Sequence, residues 1–518
     1  MRKGNFMLFH SHLFVFLFLP LTLLGWYGLH DIKKEKTAQV FLIAMSLWFY
    51  AYLNIHYLWM LLGSCLVNWT LSALMQKKET VGTDAAGSVS DAVLEESGST
   101  GTGRRLLLVI GLLFHLGTLG YFKYTNFFLE NINAVFLTDF AFIDVILPVG
   151  ISFYAFQQIA FLVDRFRREE KHCSLLDYLT FMTYFPQLLQ GPILLGKEFL
   201  PQLSDPARGK FDTERFCRGA ERFVIGLAKK ALLADTLADF VNFGYGKVGF
   251  LDSPSAILLA VGYLFELYFD FSGYCDMAVG VGKMLGLKLP ENFDSPFHAA
   301  SVKEFWRRWH ITLGRFFTRY VYIPMGGSRK GKCRTILNTM IIFALSGLWH
   351  GASWAFVLWG ILHGIGVAFD SLQILKLPAK WMHQLLTFAY VCIAFVFFRA
   401  ANIAEGFLLL KLAFTKGWTG FLWKMADAFE ISELYIVEKL LSMKAPTLLP
   451  WMNMCVTAAV FGISVIVLTQ KNAGTYGSLK DGKQTPALTV RHGLWLAFLF
   501  AWSMISLTGV SEYIYFSF

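Results

Sequence analysis

Long apolar runs alternate with short polar and basic segments along almost the whole chain. A membrane-spanning helix needs about 20 mostly apolar residues. Stretches of that kind lie near residues 6–29, 38–53, 55–75, 106–122, 145–163, 255–272, 348–371, 384–400, 451–469 and 489–509. Weaker stretches near 178–195, 216–243, 334–346 and 405–415 carry charges or Pro. Backbone or charge of that sort persists at membrane depth only when protein or a wet cavity surrounds it. The pattern predicts an all-α, polytopic integral membrane protein of about eleven or more segments, some of them re-entrant, with its chemistry in the weaker stretches.

Composition agrees with that pattern. Of 518 residues 55% are hydrophobic and 16% charged, against about 25% charged in a soluble domain, and the mean hydropathy is +0.50. The 51 Phe and 15 Trp suit a lipid-facing surface with rings at the headgroup level. The formal charge of +10 sits in short clusters between apolar runs, which reads as topology and excludes a nucleic-acid binder. Basic residues Lys33, Lys34 and Lys36, then Lys77, Lys78, Arg104 and Arg105, then Arg165, Arg167, Arg168 and Lys171 all fall on one side if the helices alternate. That places a basic face in the cytoplasm, in a multi-pass cell membrane protein. Residues 77–104, rich in Gly, Ser, Thr and acids from Glu79 to Gly103, read as a flexible cytoplasmic loop. Arg2 and Lys3 precede an apolar stretch without a small-x-small cleavage site, so the first segment is expected to be an uncleaved helix. The seven cysteines form no CxxC pair, and neither a disulfide framework nor a metal site is expected. No repeat is evident, and residues 1–518 are read as one membrane-embedded domain.

Between Tyr268 and Asp370, charged, aromatic and Gly residues crowd into hydrophobic sequence. A helix through Lys303-Glu304-Phe305-Trp306-Arg307-Arg308-Trp309-His310 would put Trp306, Arg307 and His310 on one face, able to grip a nucleotide phosphate and its base. The same residues would also suit an interfacial anchor. In Ser346-Gly347-Leu348-Trp349-His350-Gly351-Ala352-Ser353-Trp354 one imidazole lies among small residues in an apolar run. Such a histidine is either a packed core residue or a base, since imidazole can remove a hydroxyl proton near neutral pH. His363 is expected later on the same helix and is the alternative candidate. Glu266, Asp270 and Asp276 are acids inside an apolar segment, lining an acceptor path or, with more weight, pairing with a cation from a neighbouring helix. His172 and Asp177 match a short His-x4-Asp spacing without the companion phosphate motif, Gly280 to Gly286 lacks the glycine spacing of a dinucleotide loop, and Gly-x-Ser-x-Gly is absent.

The run Phe305-Trp306-Arg307-Arg308-Trp309-His310-Ile311-Thr312-Leu313, the run Tyr320-Val321-Tyr322-Ile323-Pro324-Met325-Gly326-Gly327, the segment Gly347 to Trp354, and Trp359-Gly360 with His363-Gly364 together resemble the membrane-bound O-acyltransferase family. Pro148-Val149-Gly150-Ile151-Ser152-Phe153-Tyr154 and Phe269-Asp270-Phe271-Ser272-Gly273-Tyr274 are similar to its alginate O-acetyltransferase branch. The likeness runs to about Arg399, with a core at 145–400. It departs from the branch at Gly314, Arg319 and Ala355.

The resemblance implies a helical fold around a transmembrane tunnel, His350 as the essential catalytic residue and His310 as the second. With the basic aromatic face and the intramembrane acids, substrate contacts are expected from Trp306, Arg307, Arg308, Trp309, Trp349 and Asp270, and no bound cofactor is expected. The resemblance also implies a cytoplasmic acyl thioester donor, acetyl-CoA, and a cell-surface glycan acceptor reached with an exported acetyl-transfer partner protein. His350 would act as general base while His310 positions donor or acceptor; a covalent acetyl relay stays open. The rival readings are D-alanyl transfer from a carrier thioester to teichoic acid, and a transporter of acyl or glycan lipid without chemistry.

Overall fold

The fold is taken from a computed structural model, which describes residues 7–84, 98–170, 173–374, 377–429, 431–470, 489–507 and 513–514. Among these residues the chain is helical, with no strand and one isolated antiparallel bridge between Phe293 and Trp309. Among the described residues seven helices are long and apolar enough to cross a membrane. The chain is an all-α, multi-pass membrane protein. It folds as two compact units, one drawing on Leu13–Cys217 and Val281–Pro290, the other on Leu8–His12, Arg218–Gly280 and Glu291–Phe518.

The first unit contains α1 (Leu19–Asp31), α2 (Glu35–Leu53), α3 (Ile55–Asp84), α4 (Gly98–Leu119), α5 (Thr125–Phe136), α6 (Ile151–Phe166) and α7 (Leu175–Thr183). The apolar stretch near 106–122 runs further than its hydropathy suggests, because a π-helical turn at Gly120–Tyr124 carries α4 into α5 and makes one span of Gly101–Phe136. Residues expected to start and end the cytoplasmic loop are helical, in α3 up to Asp84 and in α4 from Gly98. The remainder of that loop, residues 85–97, lies outside the described residues, as does His172. Ser174 caps α7, its hydroxyl accepting from the Asp177 backbone N–H and donating to the Asp177 carboxylate in the first turn.

The second unit contains most of α8 (Thr213–Ala228), α9 (Asp235–Tyr245), α10 (Ser253–Met284) up to Gly280, α11 (Val302–Arg308), α12 (Ile311–Phe317), α13 (Lys332–His350), α14 (Trp354–Leu372), α15 (Lys380–Arg399), α16 (Ile403–Thr415), α17 (Leu449–Thr469) and α18 (Val490–Ser506). Burial separates the inner helix from the lipid-facing ones. Of the apolar window in Ser253–Met284, 78% is inside protein, against 11% for Pro446–Thr469. A helix that is apolar all round and so deeply buried forms the middle of the core, and α10 carries Tyr263, Leu264, Phe265, Leu267, Phe269 and Phe271 into it.

α10 also brings three carboxylates into that core, and two of them are met by cations. Asp276 accepts from Lys229 Nζ at 2.7 Å and from Arg222 Nε and Nη2 at 3.0 and 2.9 Å. Asp270 accepts from Lys230 Nζ at 2.7 Å and from the backbone N–H of Ile514 at 3.1 Å. Lys230 also reaches Asp235 at 2.8 Å, and Arg222 holds Glu291. The helices come close enough for this because they touch at glycine: a Cβ on Gly226 would lie 2.6 Å from the carbonyl oxygen of Gly273, and one on Gly273 would lie 2.8 Å from that of Gly226. Glu266, one turn before Asp270, is buried and has no ion-pair partner among the described residues. Removing one member of a buried pair strands a charge and costs about 3–5 kcal/mol. Asp276→Leu is therefore expected to lower the thermal midpoint in detergent sharply, and adding Lys229→Met to recover part of the loss; an unchanged midpoint in the single variant would contradict this pairing.

Candidate active site

The two histidines of the sequence motifs come together, by a route the helical periodicity does not anticipate. α11 stops at Arg308, short of the expected helix through His310. Trp309 is extended, and its neighbours pair with an adjacent segment: Asp294 N–H donates to the Arg308 carbonyl at 2.9 Å and Ile311 N–H to the Asn292 carbonyl at 3.0 Å. His310 then sits at φ 48°, ψ 50°, in the left-handed region, as the residue that opens α12. Few non-glycine residues hold such a conformation, and those that do cluster at functional sites. The expected face of one helix is thus made by two short helices and a bent link.

The apolar stretch near 348–371 is likewise two elements. α13 ends at His350, Gly351 to Ser353 are extended or bent, and α14 starts at Trp354, so His350 and His363 belong to different helices. A Cβ on Gly351 would collide with the Phe356 ring, which explains the small residue at the break. α13 and α14 pack backbone to backbone: a Cβ on Gly347 would collide with the Phe356 carbonyl oxygen, and one on Gly360 with that of Phe343. This contact sets His350 at the end of α13 among Trp349, Trp359 and Phe398, with ring centroids at 4.8, 5.1 and 5.1 Å. The His310 ring lies 6.3 Å from that of His350, centroid to centroid, and 6.2 Å from Trp349. Both histidines are almost wholly buried.

A cavity of about 500 Å³ opens beside them. Trp306, Arg307 and His310 border it, with Lys303, Arg315, Phe343 and Ser346. Among the described residues no carboxylate borders it, so the basic residues give it a positive wall. His350 is not on the wall itself; His310 borders the cavity and is the neighbouring ring to His350.

The other site candidates are placed elsewhere. Arg308 turns to Glu304 at 2.9 Å and Asp294 at 3.7 Å. Trp309 is a core residue, stacked 5.4 Å from Phe305 and set against Phe293 and Phe395. Asp270 is held in the charge network on α10. His363 is buried and accepts a hydrogen bond at Nδ1 from the Trp306 indole N–H at 3.2 Å, so it supports a cavity residue and does not line the cavity. Asn292 had no signal in the spacing of motifs and is brought to the site by tertiary structure, while Ser346, which opens the His350 motif, was given no role of its own. The basic partners Lys229 and Lys230 were visible only as charges in a weak apolar stretch.

The helical membrane core thus encloses two adjacent imidazoles beside a basic cavity, an arrangement that can move a proton next to a bound anion. A model of the membrane-bound O-acyltransferase family matches residues 166–404. A peptidoglycan O-acetyltransferase from Helicobacter pylori is 36% identical over 438 residues, covering 78% of this chain and 79% of that protein. A probable alginate O-acetylase from Pseudomonas aeruginosa is 33% identical over 426 residues, 79% of this chain and 75% of that protein. A teichoic acid D-alanyltransferase from Bacillus subtilis is more distant, 25% identical over 268 residues, 48% of this chain and 68% of that protein. The chain belongs to the membrane-bound O-acyltransferase family and is an O-acyltransferase.

The glycine contact gives a direct test of how the site is held. Gly347→Ala and Gly360→Ala each force a methyl group onto a carbonyl of the facing helix. Overpacking of this kind costs about 1–3 kcal/mol. Each variant is expected to lower both the thermal midpoint and transferase activity, whereas Gly462→Ala on α17, where a Cβ meets nothing within 4 Å, is expected to change neither. Equal behaviour of the three would contradict the assignment.

Proposed function

We propose that this enzyme transfers acetyl from acetyl-CoA, supplied on the cytoplasmic side, towards hydroxyls of an extracytoplasmic polysaccharide. The observation that carries the proposal is the basic cavity bordered by His310, one ring away from His350. Lys303, Arg307 and Arg315 suit a donor that carries phosphates, and Trp306 offers a ring for its base. Names of the similar proteins, which acetylate peptidoglycan and alginate, support acetyl as the group and a glycan as the acceptor. Greater similarity to them than to the D-alanyltransferase favours acetyl over D-alanyl transfer.

In the proposed reaction His350 takes the proton of the acceptor hydroxyl as its oxygen attacks the thioester carbonyl. The carbon–sulfur bond breaks, and the proton passes to the leaving thiolate to give CoA-SH. His310 positions the substrate at the mouth of the cavity. Exclusion of water by the surrounding rings Trp349, Trp359 and Phe398 protects the thioester from hydrolysis. Acetyl then reaches the glycan directly or through an exported partner protein, and residues 1–518 act as a single membrane-embedded domain with the core at 145–400.

Purified protein in lipid, given acetyl-CoA and a glycan acceptor, is expected to release CoA thiol. His350→Ala is expected to lose about 10²- to 10⁴-fold in rate, the usual contribution of a general base, with its thermal midpoint kept. Arg307→Ala is expected to raise KM for acetyl-CoA more than it lowers kcat, with the difference shrinking as salt rises. A wild-type protein that cleaves only a carrier-protein thioester, or that moves its ligand without cleaving any, would contradict the proposal.

A further inference from the structure

Asn292, buried beside the site, makes a set of contacts whose donor and acceptor roles can be worked out. Its Oδ1 lies 3.2 Å from the backbone nitrogen of Thr312, 2.9 Å from the Thr312 hydroxyl and 3.1 Å from His310 Nδ1, while its Nδ2 lies 3.4 Å from Cys275 Sγ on α10. A backbone N–H can only donate, so the atom that faces Thr312 must be the amide oxygen, not the nitrogen. An amide oxygen can only accept, so His310 must carry its proton on Nδ1. In the neutral ring the lone pair is then on Nε2. His363 shows the opposite arrangement: an indole N–H can only donate, so its Nδ1 is the acceptor and its Nε2 carries the hydrogen.

We propose that Asn292 is a positioning residue that locks His310 in the Nδ1–H tautomer, so that the buried Nε2 of this cavity-lining ring can accept a hydrogen and cannot donate one. The chain of causes runs through the backbone. The antiparallel link between residues 292–294 and 308–311 sets His310 in its left-handed conformation, and the Thr312 N–H orients the amide that fixes the ring. In that tautomer His310 Nε2 serves as acceptor for a hydroxyl of the glycan brought up to it and takes no part in stabilising the tetrahedral oxyanion. This inference deepens the acyl-transfer reading above and rests on it for the substrate of His310.

Two measurements decide it. In protein labelled with 15N-histidine, the signal missing from His310→Gln identifies His310, and its nitrogen shifts report the tautomer of the resting protein whatever the donor proves to be. A protonated Nδ1 with unprotonated Nε2 is expected, giving way to a mixture in Asn292→Leu and retained in Asn292→Asp, whose carboxylate keeps the acceptor. A protonated Nε2 in the wild type overturns the proposal. In kinetics, Asn292→Leu is expected to lower kcat about 10²-fold, the scale of a misplaced group beside the reacting atoms, with KM for acetyl-CoA little changed, and Asn292→Asp to restore much of it. In the His310→Ala background the Asn292→Leu change should cost nothing further. Independent losses from the two sites overturn the positioning role even if the enzyme is an acetyltransferase, whereas a wild type that cleaves no acetyl-CoA sinks the acetyl reading and leaves the tautomer to be judged by its nitrogen shifts.

Discussion

A charge or hydrogen-bonding group taken out of water has to be met inside the protein, and in this chain that requirement organises the helical core. α10 is buried over most of its length yet carries Asp270 and Asp276, and Lys230, Lys229 and Arg222 meet them inside the core. Those contacts require helices at backbone distance, and backbone distance requires glycine at Gly226 and Gly273. The same rule works at the site. Asn292 hangs between Cys275 on α10, Thr312 and His310, so the helix that holds the charges also holds the frame of the imidazole.

The architecture separates placement from chemistry. Close glycine packing between α13 and α14 puts His350 at a helix end, in a wall of aromatic rings. A short antiparallel link and a left-handed residue bring His310 up to it from another direction. Neither histidine lies in the middle of a regular helix, and both are set by segments where the chain leaves helical geometry. A side chain fixed in this way has little freedom to lose when substrate arrives.

Much of this was legible in the sequence and some was not, for physical reasons. Apolar run length located most helices within a few residues, because bilayer thickness is a strong constraint. The motif residues Trp306, Arg307 and His310 do border one cavity, but helical spacing is the wrong reason for it: α11 ends at Arg308, and periodicity cannot register a short antiparallel link or a positive φ at histidine. The break after His350 was hidden because Gly351 to Ser353 are as apolar or small as the helices that flank them. Arg308 and Trp309 belong to the same motif as their neighbours yet face an acid and the core, since adjacent residues leave a short helix in different directions. Asn292 could not have been singled out, because its importance comes wholly from what the fold sets around it.

Catalysis as proposed requires the thioester of the donor to lie in the cavity bordered by His310, within reach of His350. A cryo-EM structure of the protein in lipid with a non-hydrolysable thioether analogue of acetyl-CoA tests that placement directly. The thioether sulfur is expected beside His310, with the nucleotide phosphates on the side of Lys303, Arg307 and Arg315. An analogue bound with its thioether remote from both histidines, or in a part of the chain outside α11 to α14, would contradict it.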